Sequence, residues 1–281
     1  GYSGTLIPAL HDATGNYKVA TNVAALPSGG LNLNALVLAS AAAQSLTFAN
    51  ASDVLNLTAG TFLKTGNFAT TIGTAIDSGR LTAGGTASSG VSDLYFFTFP
   101  NGTSTTTINS RIVDNPNGAA VRFVYTSYSP TSQTIITNGL NSYTGGTTLN
   151  GGNSFQSVLD LNVTGADGGN TLAAIPLAAV AADSLVINNS TVRLLQDAQI
   201  HNSIVPVLSG GGILNLNNRI QTLGGLTFNN NGSSTVSTVT IGTGTLTLNG
   251  GITATSSNAG AIATITSSGV GTLALNGAVR T

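Results

Sequence analysis

The chain has 281 residues, a net charge of −1 and no Cys, Met, Trp or Glu; Gly (36), Thr (41), Asn (29) and Ser (28) make nearly half of it, and charged residues only 6%. The missing Cys excludes disulfides and thiolate metal sites, and eight basic residues scattered singly offer no patch to nucleic acid or to an anionic membrane surface. The longest apolar run, residues 172–182, contains Pro176 and falls well short of the ~20 residues of a membrane-spanning helix.

Helix formers are scarce, because Gly, Thr, Asn and Ser all disfavour helix interiors. Short alternating runs take their place. From the N-terminus they begin with Leu31-Asn-Leu-Asn34, Ser45-Leu-Thr-Phe48 and Val54-Leu-Asn-Leu57. Each has apolar residues two apart and meets Asn, Gly or Ser within a few positions, the pattern of half-buried strands between turns. Residues 93–128 then break the pattern. They hold Tyr95, Phe96, Phe97, Phe99, Phe123, Tyr125 and Tyr128, and Asn115-Pro-Asn-Gly118 reads as a turn joining strands over 105–114 and 119–128. A hairpin-like elaboration is expected here. Its aromatics read either as a thicker core or a cap or, where they face out, as the candidate site Tyr95, Phe97, Phe99, Tyr125 and Tyr128: an interface with another protein or a platform for sugar rings.

Next comes Gly139-Leu-Asn-Ser-Tyr-Thr-Gly-Gly-Thr-Thr-Leu-Asn-Gly-Gly152. In Gly139, Asn141, Tyr143, Thr144, Gly145, Gly146, Thr147, Leu149 and Gly152 this segment resembles the autotransporter-associated β-strand repeat, over about 14 residues. The resemblance implies a right-handed parallel β-helix, exported and displayed at a bacterial cell surface.

Leu159-Asp-Leu-Asn-Val163 resumes the alternation. Residues 171–206 are rich in Ala and Leu, with room for a short helix at Ala178–Ala182 or Leu194–Gln199. Alternating runs return at Ile213–Leu216, Leu226–Phe228, Val239–Ile241, Leu246–Leu248 and Leu273–Leu275. Gly244-Thr-Leu-Thr-Leu-Asn-Gly250 recurs as Gly271-Thr-Leu-Ala-Leu-Asn-Gly277, 27 residues on. A period of 20–30 residues fits a β-solenoid better than a propeller, whose blades need about 40. The expected fold is therefore all-β: one elongated parallel β-solenoid over residues 1–281, of roughly a dozen coils of about 22 residues, right-handed as the resemblance implies. Leu46, Phe48, Leu214, Leu216, Leu226, Phe228, Leu246 and Leu248 should face inward; Thr47, Asn215, Thr227 and Thr247 should face out. The absence of Met and the strand-like ends lead to two expectations. Either the chain is a processed piece of a longer solenoid, or its ends stack on other copies of itself.

Catalytic constellations are thin. The neighbours His11-Asp12 and Asp197…His201 lack a G-x-S-x-G nucleophile. Asp160 and Asp167, seven apart, are a carboxylate pair that glycoside hydrolysis or calcium could use, but turn-capping is the expected role of Asp in such Gly- and Asn-rich surroundings. A carbohydrate-active site would draw on Asp53 with Lys64, or on Asp114 with Arg111 and Arg122. The leading expectation is a non-enzymatic structural or adhesive protein, extracellular or at the cell surface. It needs no cofactor or metal, and its partners are other copies of itself or a surface polysaccharide. The alternative is a carbohydrate-active or carbohydrate-binding β-helix.

Overall fold

The computed structural model describes residues 1–100, 102–129, 131–152, 157–179, 184–231 and 234–276, and among these there is no helix. The chain winds through two long sheets in alternation. One sheet stacks β1 (Asp12–Val19), β3 (Leu31–Leu38), β5 (Val54–Thr65), β8 (Val91–Phe99), β11 (Ala120–Ser127), β13 (Thr147–Asn150), β15 (Leu185–Asn188), β17 (Val207–Ser209), β20 (Leu226–Asn229) and β23 (Ile252–Thr255). Two short strands, β7 (Arg80–Ala83) and β10 (Arg111–Ile112), branch from β5. The second sheet stacks β2 (Val23–Ala25), β4 (Gln44–Thr47), β6 (Thr70–Ile72), β9 (Thr105–Ile108), β12 (Gln133–Ile136), β14 (Ser157–Leu161), β16 (Ser190–Leu194), β18 (Ile213–Asn215), β21 (Thr238–Gly242) and β24 (Thr264–Ser267). A third, shorter sheet holds β19 (Ile220–Leu223), β22 (Thr245–Leu248) and β25 (Thr272–Leu275). Every pairing between these strands is parallel. The molecule is a parallel β-solenoid.

Alternation along each strand puts one set of side chains inside, and the parallel register lines that set up from coil to coil. On the long sheet Leu36, Phe62, Phe96, Tyr125, Leu149, Ile187, Leu208 and Phe228 form one inner column. On the second sheet Leu46, Ile72, Ile108, Ile136, Leu161 and Leu194 form another. All of these residues are buried. Stacked like on like, they make one continuous core, the reason a solenoid coil is stable only beside its neighbours. Of the expected inward set, Leu46, Leu214, Leu216, Leu226, Phe228, Leu246 and Leu248 are buried, and Phe48 is partly buried against the core. Thr47, Asn215, Thr227 and Thr247 lie on the outward side of their strands and are partly exposed.

The Gly139–Gly152 segment builds a corner that ties coils together. Asn141 accepts a hydrogen bond from the Ile112 amide at 2.9 Å and donates to the carbonyls of Asn138 (2.8 Å) and Ala174 (2.9 Å). One side chain thereby satisfies backbone groups from the coils before and after it. The buried Tyr143 hydroxyl meets Thr147 Oγ1 at 2.7 Å. Thr144 donates its amide and its hydroxyl to Asp114. Gly145 is required by close approach, since a Cβ there would lie 2.6 Å from the Val121 carbonyl carbon.

Three expectations are corrected. Among the described residues the second sheet counts ten strands along its path rather than a dozen, because coils differ in length: Ser45 pairs with Thr71, but Thr71 pairs with Thr107. The segment 93–128 is not a hairpin. Its long strands β8 and β11 run parallel in register, Ala120 beside Val91 through Ser127 beside Thr98, and the Asn115–Gly118 turn is a solenoid corner. A hairpin would force antiparallel pairing and split the inner column. Leu194–Gln199 is the end of β16 followed by bends, not a helix; the other expected helix, Ala178–Ala182, runs outside the described residues.

Candidate functional site

The outer face of the long sheet carries the aromatic strip. With Phe62 and Phe96 turned inward, alternation turns Thr61, Leu63 and Thr65 of β5 outward, and likewise Asp93, Tyr95, Phe97 and Phe99 of β8. In register, Tyr95 lies between Thr61 and Val124, and Phe97 between Leu63 and Thr126. Leu63 is flanked on its other side by Val37 of β3. Tyr128 follows β11 directly, and its amide donates to the Thr98 carbonyl at 2.9 Å. The Phe99 and Tyr128 rings stack at 4.3 Å between centroids, with 51% and 49% of each residue exposed. Tyr95 and Phe97 stack at 5.9 Å and are half-buried.

Four of the five sequence-assigned aromatics are thus brought together. Tyr125 is not among them: it pairs with Phe96, shares its inward parity, is fully buried, and donates its hydroxyl to the Val158 carbonyl at 3.1 Å. Burial pushes its phenol pKa up. Sequence alternation places Tyr95, Phe97 and Phe99 outward as found, but its outward assignment of Tyr125 fails, because the register beside Phe96 turns Tyr125 into the core. Half-buried Leu63 extends the apolar strip onto β5, with the buried Val37 beside it on β3. The alternation Thr61-Phe-Leu-Lys-Thr65 held that signal, since an inward Phe62 forces Leu63 out.

The charges at the strip are mutually neutralised. Arg122 grips Asp93 through two hydrogen bonds, Nε to Oδ1 at 2.7 Å and Nη2 to Oδ2 at 3.0 Å. Tyr95 adds its hydroxyl to Asp93 Oδ2 at 2.8 Å. Desolvation opposes the Asp93 charge, but Arg122 and Tyr95 outweigh it and hold the carboxyl below its usual range. In return the hydrogen bond to Asp93 raises the Tyr95 phenol.

The carboxylates considered for catalysis are dispersed among structural tasks. Asp53 accepts hydrogen bonds from the amides of Gly29 and Asn50, while Lys64 contacts Gly66 and Ser104. Asp114 accepts from Val121 and Thr144, Arg111 pairs with Asp77, and Arg122 with Asp93. Asp160 is clasped by Arg193 at 2.7 and 2.8 Å. Asp167 closes its own loop: it accepts from the amides of Gly169, Thr171 and Leu172, and these bonds hold its carboxyl far below the usual range. His11 Nδ1 accepts from the Asn32 amide and His201 Nδ1 from the Ser203 amide. Asp12 is engaged by Tyr17, and Asp197 by the Ile220 amide. Among the described residues no three His or Asp side chains gather as a metal-binding group.

No protein-family model, no curated protein and no solved structure matches the chain.

Proposed function

We propose that the protein is a structural or adhesive module of a bacterial extracellular surface, a stiff solenoid whose aromatic strip is its contact surface and whose first partners are other copies of itself. One observation carries this reading: Phe99 and Tyr128 stand half exposed and stacked on each other beside the stacked pair Tyr95 and Phe97, so that four aromatic rings share one outer face. An exposed apolar strip bordered by polar residues is how soluble proteins present an interaction site. The strip also lacks an uncompensated charge to repel a second copy, and net charge is low. Extracellular display rests on the repeat-like segment 139–152 and on the neutral polar surface.

Sugar binding is the weaker reading. Stacking on sugar needs open ring faces, and here each ring gives one face to its neighbour. Sedimentation velocity of the wild type and of a Phe99→Ser/Tyr128→Ser variant separates the readings. Concentration-dependent association in the wild type that falls at least about tenfold in the variant is the expected result. A monomeric wild type that binds or cleaves members of a polysaccharide panel would overturn it.

A further inference from the structure

Lys64 occupies a position in the core that the strip does not explain. It faces inward from β5 in a column that runs Leu38, Lys64, Thr98, and it is 1% exposed. Its Nζ donates to the Gly66 carbonyl and to the Ser104 hydroxyl. Ser104 in turn donates to the Phe68 carbonyl at 3.3 Å and accepts the Gln133 amide on its own carbonyl at 2.9 Å. The amine thus ties the corner after β5 to the chain entering β9, one coil on. An ammonium brings three N–H donors and a full charge, yet it meets two neutral oxygens. Leu38 faces it from β3, Thr98 from β8, Gly66 and Phe68 from the corner, and Ser104 from the next coil; none of these ionises. The ion pairs among the described residues all lie elsewhere. A buried cation without a carboxylate is costly, and the cost vanishes when the amine is neutral.

We propose that Lys64 is a proton-operated latch: with the amine neutral, the corner formed by residues 64–68 and 102–106 is closed, and uptake of a proton loosens that corner and the end of β8 that carries Phe99. Burial pushes the amine down to about 8, which sets the pH of the transition. Coupling to the strip is short-range, because Thr65 and Phe99 pair immediately after Lys64 and Thr98. The inference does not depend on what the strip binds.

The chain has two lysines, and the other, Lys18, is exposed. Carbon-13-labelled lysine in the intact chain therefore gives two side-chain signals, one an internal control. The expected result is a Lys64 Cε titration with a midpoint about 8. Backbone amides of 64–68, 99 and 102–106 should shift with the Lys64 midpoint, and should lose that dependence in Lys64→Met and Lys64→Gln. The proposal is overturned if Lys64 titrates alongside Lys18, if Lys64 titrates about 8 while the corner amides stay still, or if those amides shift equally in either variant. The wild-type titration decides the first two outcomes even if both variants fail to fold.

Discussion

One outward column of the long sheet changes character between β11 and β13, while the inner column beside it does not. Before the change, the outward column reads Val37, Leu63, Phe97 and Thr126. After it, the same column continues as Asn150, Asn188, Ser209 and Asn229. There Asn188 donates to Asn150 Oδ1 at 3.0 Å and Ser209 donates to Asn188 Oδ1 at 2.7 Å. Apolar stacking gives way to a hydrogen-bonded polar ladder. Inside, large apolar residues fill the column from Leu36 to Phe228 across both halves. Core packing therefore constrains the inner face everywhere and leaves the outer face free. A solenoid folds equally well with Asn on its outside, so the aromatics on β8 and after β11 need a reason other than folding.

The sharpest way to break this comparison is to exchange inside for outside. Phe96→Ala removes a ring stacked 4.7 Å from Phe62 at the centre of the core. It should cost about 3–5 kcal/mol by urea unfolding. A loss below about 1 kcal/mol would mean that the core is not closely packed across this coil.

The next effect concerns Lys64, a buried cation of that inner face. A native amine at about 8 lies below the unfolded value of 10.5, so the unfolded chain holds its proton more tightly. The resulting penalty is complete below pH 8 and fades as pH rises from 8 to 10.5. The stability difference between wild type and Lys64→Met should therefore move in favour of the wild type by about 3 kcal/mol between pH 7 and pH 10.5, on top of a pH-independent cost of the two hydrogen bonds that Met cannot make. Unfolding curves at each pH read that slope. A pH-independent difference would remove ionisation as its cause.

The smallest effects compare the two halves of the outer face directly. Asn188→Ala breaks both rungs of the ladder and should cost about 1 kcal/mol. Phe99→Ser should stay within about 0.5 kcal/mol, as for exposed residues with little packing, while reducing self-association. If the Phe99 variant proves the less stable of the two, the strip is part of the packing and the division drawn here fails.

Much of the fold was legible because a solenoid repeats two local signals. Alternation such as Leu46-Thr-Phe48 gives the inward set, and Gly-, Asn- and Ser-rich punctuation gives the corners. Residues 93–128 mislead because the stretches 105–114 and 119–128 on either side of Asn115-Pro-Asn-Gly118 look like a hairpin when read locally. Their true partners lie one coil away, a distance that local pattern does not encode. Tyr125 was misplaced for a related reason: its parity is set by register with Phe96, not by its neighbours. The tasks of Asp93, Asp114 and Asp160 were also hidden. Each is engaged by a residue about thirty positions on, Arg122, Thr144 and Arg193, and turn-capping at close range describes Asp167 better than any of these.

The regular coil-to-coil pairing has a kinetic consequence. Strands meet partners such as Ser45 and Thr71, or Val239 and Ile265, 26 residues apart in a chain of 281. Contacts of that span correspond to a relative contact order of roughly 0.1, the range of fast-folding helical bundles rather than of β-sandwiches. Folding should start wherever one pair of coils first closes and then advance coil by coil. Adding coils would lengthen the path without raising the entropic barrier of each step.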